Sequence, residues 1–157
     1  MHKLLLPAAL LAALLAPFVP AAAPAADSGV MAVINRAISA FNTGDAKAWA
    51  ATCTSPAAII DDFPPHSWQG PDACARWWTA WGADAKKNGD TDAVVTLGTP
   101  RLVSVTGERA YAVFPATYAY KQHGKPVTQT GAVFTFALGK TGAGWLITSW
   151  AWSDGRP

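Results

Sequence analysis

Apolar side chains at Val30, Val33, Ile34, Ala37, Ile38 and Phe41 recur every three or four positions, the spacing of a helix with one buried face. Asp27 or Ser28 can cap its start, and Gly44, following Asn42-Thr43, can stop it. Asp45 then caps a shorter second helix in which Trp49 and Cys53 share a face, closed by Ser55-Pro56. Ala57 to Asp61 reads as a short strand, and Asp62 to Gly70, with Pro64 and Pro65, as a loop. Pro71 suits the first turn of a third helix, with Asp72 near its positive end. On that helix Cys74, Trp77, Trp78 and Trp81 fall at i, i+3, i+4 and i+7, a broad aromatic stripe that ends near Asn88-Gly89. From Ala93 onward β-branched and aromatic residues take over. They are punctuated at Thr106-Gly107-Glu108, Gln122 to Lys125 and Gly139 to Gly144, which predicts four strands in meander order. Helices first and strands after predict one α+β domain with a curved sheet over residues 27–157.

Ahead of that domain, Met1-His2-Lys3 supplies a positive start, Leu4 to Leu15 an apolar run, and Ala21 to Ala26 small residues suited to cleavage. Residues 1–26 therefore read as a secretory signal peptide, and the protein is expected in the periplasm or secreted. The rival reading is a membrane anchor, but the run is shorter than the ~20 residues a bilayer requires and contains Pro7. No membrane association is expected after cleavage.

Composition narrows the function. The chain carries 12 Lys+Arg and 10 Asp+Glu; removal of Lys3 leaves 11 against 10, with no dense cationic stripe. Nucleic acid is not an expected partner. Eight Trp, six Phe and three Tyr instead supply ample apolar surface for a pocket. Outside the leader the only histidines are His66 and His123, with no metal-ligand spacing between them. There is also no glycine-rich phosphate loop, no nucleophile elbow and no Cys/His pair placed for attack. No metal and no cofactor is called for.

The element order, with Asn42-Thr43-Gly44-Asp45, Gln69-Gly70-Pro71 and the closing Gly144-Trp145-Leu146-Ile147, resembles the nuclear transport factor 2-like superfamily. SnoaL-like proteins and ketosteroid isomerase belong to it. The resemblance spans Val30 to Ser153 and implies a cystatin-like α+β barrel. In such a fold a cone-shaped, curved mixed sheet wraps three N-terminal helices and leaves a cavity open at one end.

Matched without gaps to ketosteroid isomerase, the general-base aspartate falls on Asp61. That enzyme's oxyanion donors fall on Ala37 and Ala132, so its own activity is not implied. Tyr118, Tyr120 and Thr130 are possible substitutes as donors. The other reading of Asp61 is a rim carboxylate that accepts hydrogen bonds in the following loop. His66, beside Asp61 and Asp62, is a possible proton shuttle or simply a turn residue. The resemblance places Ser149 and Ala151 where many SnoaL-like members carry pocket histidines. Strict alternation then sends Trp150 and Trp152 to the convex face, where they would build a homodimer interface; a one-residue slip would put both inside the cone. The family layout also brings Cys53 near Cys74, as a disulfide or as two buried thiols.

Three functional readings follow. The first is a small, fairly apolar molecule bound in a cone lined by Phe63, Trp68, Trp78, Trp81, Phe114, Tyr118, Tyr120, Thr130, Phe134 and Ser149. In the second, Asp61 is the base of an isomerase, cyclase or lyase acting on a small carbonyl-containing or polycyclic substrate, aided by Tyr118 or His66. The third is a dimerisation or docking module of the cell envelope carried by Trp150 and Trp152.

Overall fold

A computed structural model describes residues 28–155; the expected signal peptide lies outside them. Helix α1 (Ser28–Asn42) buries Val30, Val33, Ile34, Ala37, Ala40 and Phe41, the face its spacing predicts. Its last residue ties it to the sheet. The Asn42 amide nitrogen donates to the Val95 carbonyl at 2.9 Å, and its oxygen accepts the Val95 N–H at 2.8 Å. The side chain thus bonds to strand β3 (Asp90–Leu97) as a neighbouring strand would. Gly44, at φ +72°, makes the turn into α2 (Ala46–Ala50), where the Asp45 carboxylate accepts from the Ala48 N–H at 2.8 Å.

That second helix is shorter than expected. Cys53 opens strand β1 (Cys53–Ile60) instead of riding on α2, because the Thr52 carbonyl is already taken by the Ile147 N–H at 2.9 Å. Ser55-Pro56 lies within the strand, at an irregularity between Cys53 and Ala58 where proline's missing N–H interrupts no regular ladder. The expected 62–70 loop contains a second strand, β2 (Ser67–Gly70), paired antiparallel with β1. Four residues are too few for alternation to announce it. Helix α3 (Ala73–Asn88) begins after Asp72, so Pro71 precedes the helix, and Gly89 ends it in the left-handed conformation at φ +71°.

The remaining strands are β4 (Leu102–Thr106), β5 (Arg109–Gln122), β6 (Lys125–Thr141) and β7 (Gly144–Ser153). The first strand of the expected meander is therefore two, β3 and β4, which pair with different halves of β5. The sheet runs β2-β1-β7-β6-β5-β3 with β4 beside β5, and β1 and β7 are parallel in an otherwise antiparallel array. This is the expected α+β cone, a curved mixed sheet wrapped around the helices.

Two bulges set which side chains the sheet turns inward. On β7, Ile147 pairs with Leu138 and Ser149 with Ala137, which leaves Thr148 as an extra residue whose hydroxyl donates to the Ala137 carbonyl at 3.1 Å. On β6, Ala132 faces Ala116 and Gln129 faces Tyr118, so Thr130 and Gly131 together oppose Thr117. Gly131 takes φ +80°, a conformation glycine adopts without a Cβ penalty. One extra residue reverses the alternation of everything beyond it. Trp150 is accordingly only 3% exposed and Trp152 half-buried, both on the concave side. This corrects the expectation that they form a convex dimer face, and the reason is the Thr148 bulge.

Candidate active site

Between the helices and the sheet lies a cavity of about 400 Å³. Helix α3 supplies one wall from a single face, with Trp77, Trp81, Asp84, Ala85 and Asn88 at i, i+4, i+7, i+8 and i+11. Strand β5 contributes Tyr118, Tyr120 and Gln122, β6 Gln129 and Phe134, and β7 the two inward tryptophans. Ten of the twenty-one lining residues are aromatic.

Asp61 follows β1 and is 8% exposed on this wall. Its Oδ2 accepts the Trp77 indole N–H at 2.7 Å, and its Oδ1 accepts the Asp62 backbone N–H at 2.7 Å. The main chain is held as well: the Asp61 N–H donates to the His66 carbonyl at 3.1 Å, and the His66 N–H to that of Phe63 at 2.9 Å. Burial first, and the adjoining Asp62 carboxyl second, push the Asp61 carboxyl up to about 7, against the downward pull of the Trp77 donor. The group therefore exchanges its proton near neutrality.

Tyr118 faces the same cavity, and burial pushes its phenol up to about 12. A hydrogen bond from the Trp81 indole opposes that rise without reversing it, so the phenol keeps its proton and serves as a donor. The indole nitrogens of Trp49 and Trp150 are buried without a protein acceptor. Trp150 stands edge-on to Trp77, at 4.8 Å between ring centroids and 89° between planes.

The other expected site residues divide into two groups. Phe63, Trp81, Tyr120 and Phe134 line the cavity with Asp61 and Tyr118. Trp68 is buried beside Phe63, at 5.0 Å between rings, and Trp78 packs on Phe41 and Trp49, both outside the lining. Phe114, 1% exposed, belongs to the packed core. Ser149 and Thr130 stand off the cavity because the two bulges reverse their strands, and Gln129 enters in place of Thr130. His66 is exposed; its Nδ1 lies 3.2 Å from the Asp61 backbone carbonyl, so it contacts the main chain and not the carboxylate. That contact makes it a turn residue instead of a shuttle. Trp77, the partner of Asp61, was visible only as one member of the aromatic stripe.

Cys53 and Cys74 form a disulfide with their Cα atoms 6.5 Å apart, joining the start of β1 to the start of α3. It braces the two elements that carry Asp61 and Trp77. Among the described residues no group of three or more His, Cys, Asp or Glu side chains is placed to hold a metal ion.

The architecture recurs in solved structures. A ketosteroid isomerase-like protein from Erwinia carotovora is 18% identical, with 82% of this chain and 95% of that one covered at a TM-score of 0.65. A candidate dehydratase of the nuclear transport factor 2-like family from Streptomyces avermitilis is 17% identical, covering 82% and 96% at 0.69. A nuclear transport factor 2-like protein with a cystatin-like fold from Novosphingobium aromaticivorans is 17% identical, covering 79% and 78% at 0.64. At these identities the likeness is one of fold. No functionally curated protein matches the chain. The sequence itself carries the family signature: the SnoaL-like domain profile matches residues 34–142, most of the chain, and the protein belongs to that family within the nuclear transport factor 2-like superfamily.

Proposed function

We propose that the cavity binds a small, largely apolar organic molecule with a carbonyl group and that Asp61 moves a proton on it, as in an isomerase, cyclase or lyase. The observation that carries this reading is the buried Asp61 carboxyl on the cavity wall, held by Trp77 and titrating at about 7. A base of that strength is half ionised at neutral pH and strong enough to take an acidified proton. In the first step the Asp61 carboxylate removes a proton from the carbon next to the carbonyl. The C–H electron pair becomes the enolate C=C, and the carbonyl pair moves onto oxygen. Tyr118, aligned by Trp81, donates a hydrogen bond to that oxygen and so replaces the donors lost at Ala37 and Ala132. Where the substrate carries a C=C beside that carbon the enolate is a dienolate; the oxygen pair re-forms the C=O, the double bond shifts into conjugation, and the Asp61 acid returns the proton to the far carbon, which completes an isomerisation. Solved structures of the same fold include a ketosteroid isomerase-like protein and a candidate dehydratase.

The signal-like segment and the Cys53–Cys74 bridge support export to an oxidising compartment, the periplasm or the medium.

The direct test is loss of deuterium from the α-carbon of a panel of small ketones, beginning with deuterated 2-indanone, followed by NMR. The wild-type protein is expected to speed exchange with a rate that rises through pH 7, and Asp61→Asn to lower it at least ~100-fold. Equal exchange by the two proteins across the panel removes Asp61 from any mechanism.

A further inference from the structure

The charged groups on the cavity wall are all of one sign. Asp61, Asp62, Asp84 and Asp90 line it, whereas among the described residues no Lys, Arg or His does, on a chain whose formal net charge is +2. Among the described residues, four of the nine acidic side chains have been gathered here and none of the ten lysines and arginines. Two of the four are held by neutral amides from the same wall. Asn88 Nδ2 donates to Asp84 at 2.9 Å, and Gln122 Nε2 to Asp90 at 3.1 Å. Those amides orient the carboxylates without neutralising them, as a lysine or arginine would.

Between the carboxylates stand aromatic rings. Tyr118 and Tyr120 are stacked with centroids 4.9 Å apart, and Tyr118 meets Trp152 at 6.3 Å and 77°. Ring faces with negative potential, surrounded by carboxylates, repel an anion and attract an organic cation. A neutral apolar molecule would gain from the rings alone.

We propose that the natural ligand is an organic cation, an ammonium-bearing molecule whose apolar body lies on the aromatic wall and whose positive charge is answered by Asp84 and Asp90. This rests on the cavity being the ligand site and adds the charge of what it selects. The amine need not take part in the proton transfer at Asp61. A cation in the cavity favours the ionised form of Asp61, so its binding strengthens as pH rises through 7; Asp62, Asp84 and Asp90 act in the same direction on the ligand, and His66 approaches only the Asp61 main chain.

Two probes of one shape, phenyltrimethylammonium and its uncharged carbon isostere tert-butylbenzene, separate charge from fit, and 4-tert-butylbenzoate adds a negative charge to the same apolar body. Dissociation constants are read from tryptophan fluorescence of the intact protein at pH 8 and low salt. The cation is expected to bind at least tenfold more tightly than tert-butylbenzene, and the benzoate more weakly than either. In Asp84→Asn/Asp90→Asn the cation should lose at least tenfold and tert-butylbenzene less than threefold. If tert-butylbenzene binds as well as the cation, or the double variant keeps the preference, the charge assignment is overturned while the cavity remains a ligand site. If none of the three binds, both fall. Proton transfer is judged separately, by the exchange lost in Asp61→Asn.

Discussion

The two ends of the cone are built from the same strands yet have opposite characters. At the packed end Phe114, Phe136, Leu138 and Ile147 are all within 1% of full burial, and the Phe114 and Phe136 rings meet at 78°. Past the bulges at Thr148 and Gly131 those strands turn Trp150, Trp152 and Gln129 toward the cavity, where Phe134, Asp61, Tyr118, Asp84 and Asp90 complete the wall. One end packs aromatic rings and aliphatic chains together and supplies stability. The other keeps a buried carboxyl that opposes folding at neutral pH. A single sheet thus separates the part that holds the protein together from the part that does chemistry, and the boundary is two extra residues.

The sharpest way to break that division is at the packed end. Phe136→Ala removes a fully buried ring and is expected to cost about 3–5 kcal/mol in urea denaturation, with the pH midpoint of α-deuterium exchange unmoved. A shifted midpoint would mean that the two ends are not independent. The next effect belongs to the open end. The folded-state pKa of Asp61 is about 7, raised from 3.8, so the folded protein binds the extra proton. Stability from this group is therefore fully present below pH ~4 and is lost as pH rises through 7, a change on the order of 4 kcal/mol. Denaturation of wild type and Asp61→Asn across pH 4–8 should show that slope only in the wild type. Parallel curves would show that Asp61 titrates normally. The smallest effect isolates one bond. Trp77→Phe keeps the ring and deletes the donor to Oδ2, so the Asp61 carboxyl moves further up, by about one unit, and the exchange profile follows it. An unmoved profile would mean that the indole only packs.

How much of this was legible follows from how each feature is encoded. The inward faces of α1 and α3 are written many times over, in Val30 to Phe41 and in Cys74 to Trp81, so no single residue can conceal them. Strand parity is different, because one inserted residue reverses it. Gly131, an isolated glycine in a β-rich run, is a signal that could have marked its bulge, yet regular alternation placed Thr130 in the pocket. Thr148 carries no such mark; a β-branched residue suits a regular strand equally well, and that is why the inward turn of Trp150 and Trp152 stood only as the rival reading, a one-residue slip. The Asp61 to Trp77 hydrogen bond spans sixteen positions and depends on where β1 ends relative to α3. The sequence pointed both side chains inward without saying that they meet.

The Thr148 bulge has a consequence for how such a pocket can change over generations. If Thr148 were taken into the regular ladder opposite Ala137, the pairing beyond it would slip by one residue, draw Ser149 and Ala151 inward and turn Trp150 and Trp152 out, with no change in chain length. A cone of this kind need not exchange its lining one substitution at a time. Absorbing or releasing one bulged residue at a strand's midpoint replaces a whole column of side chains while the hydrogen-bonded frame persists, and a new ligand class lies one register slip away.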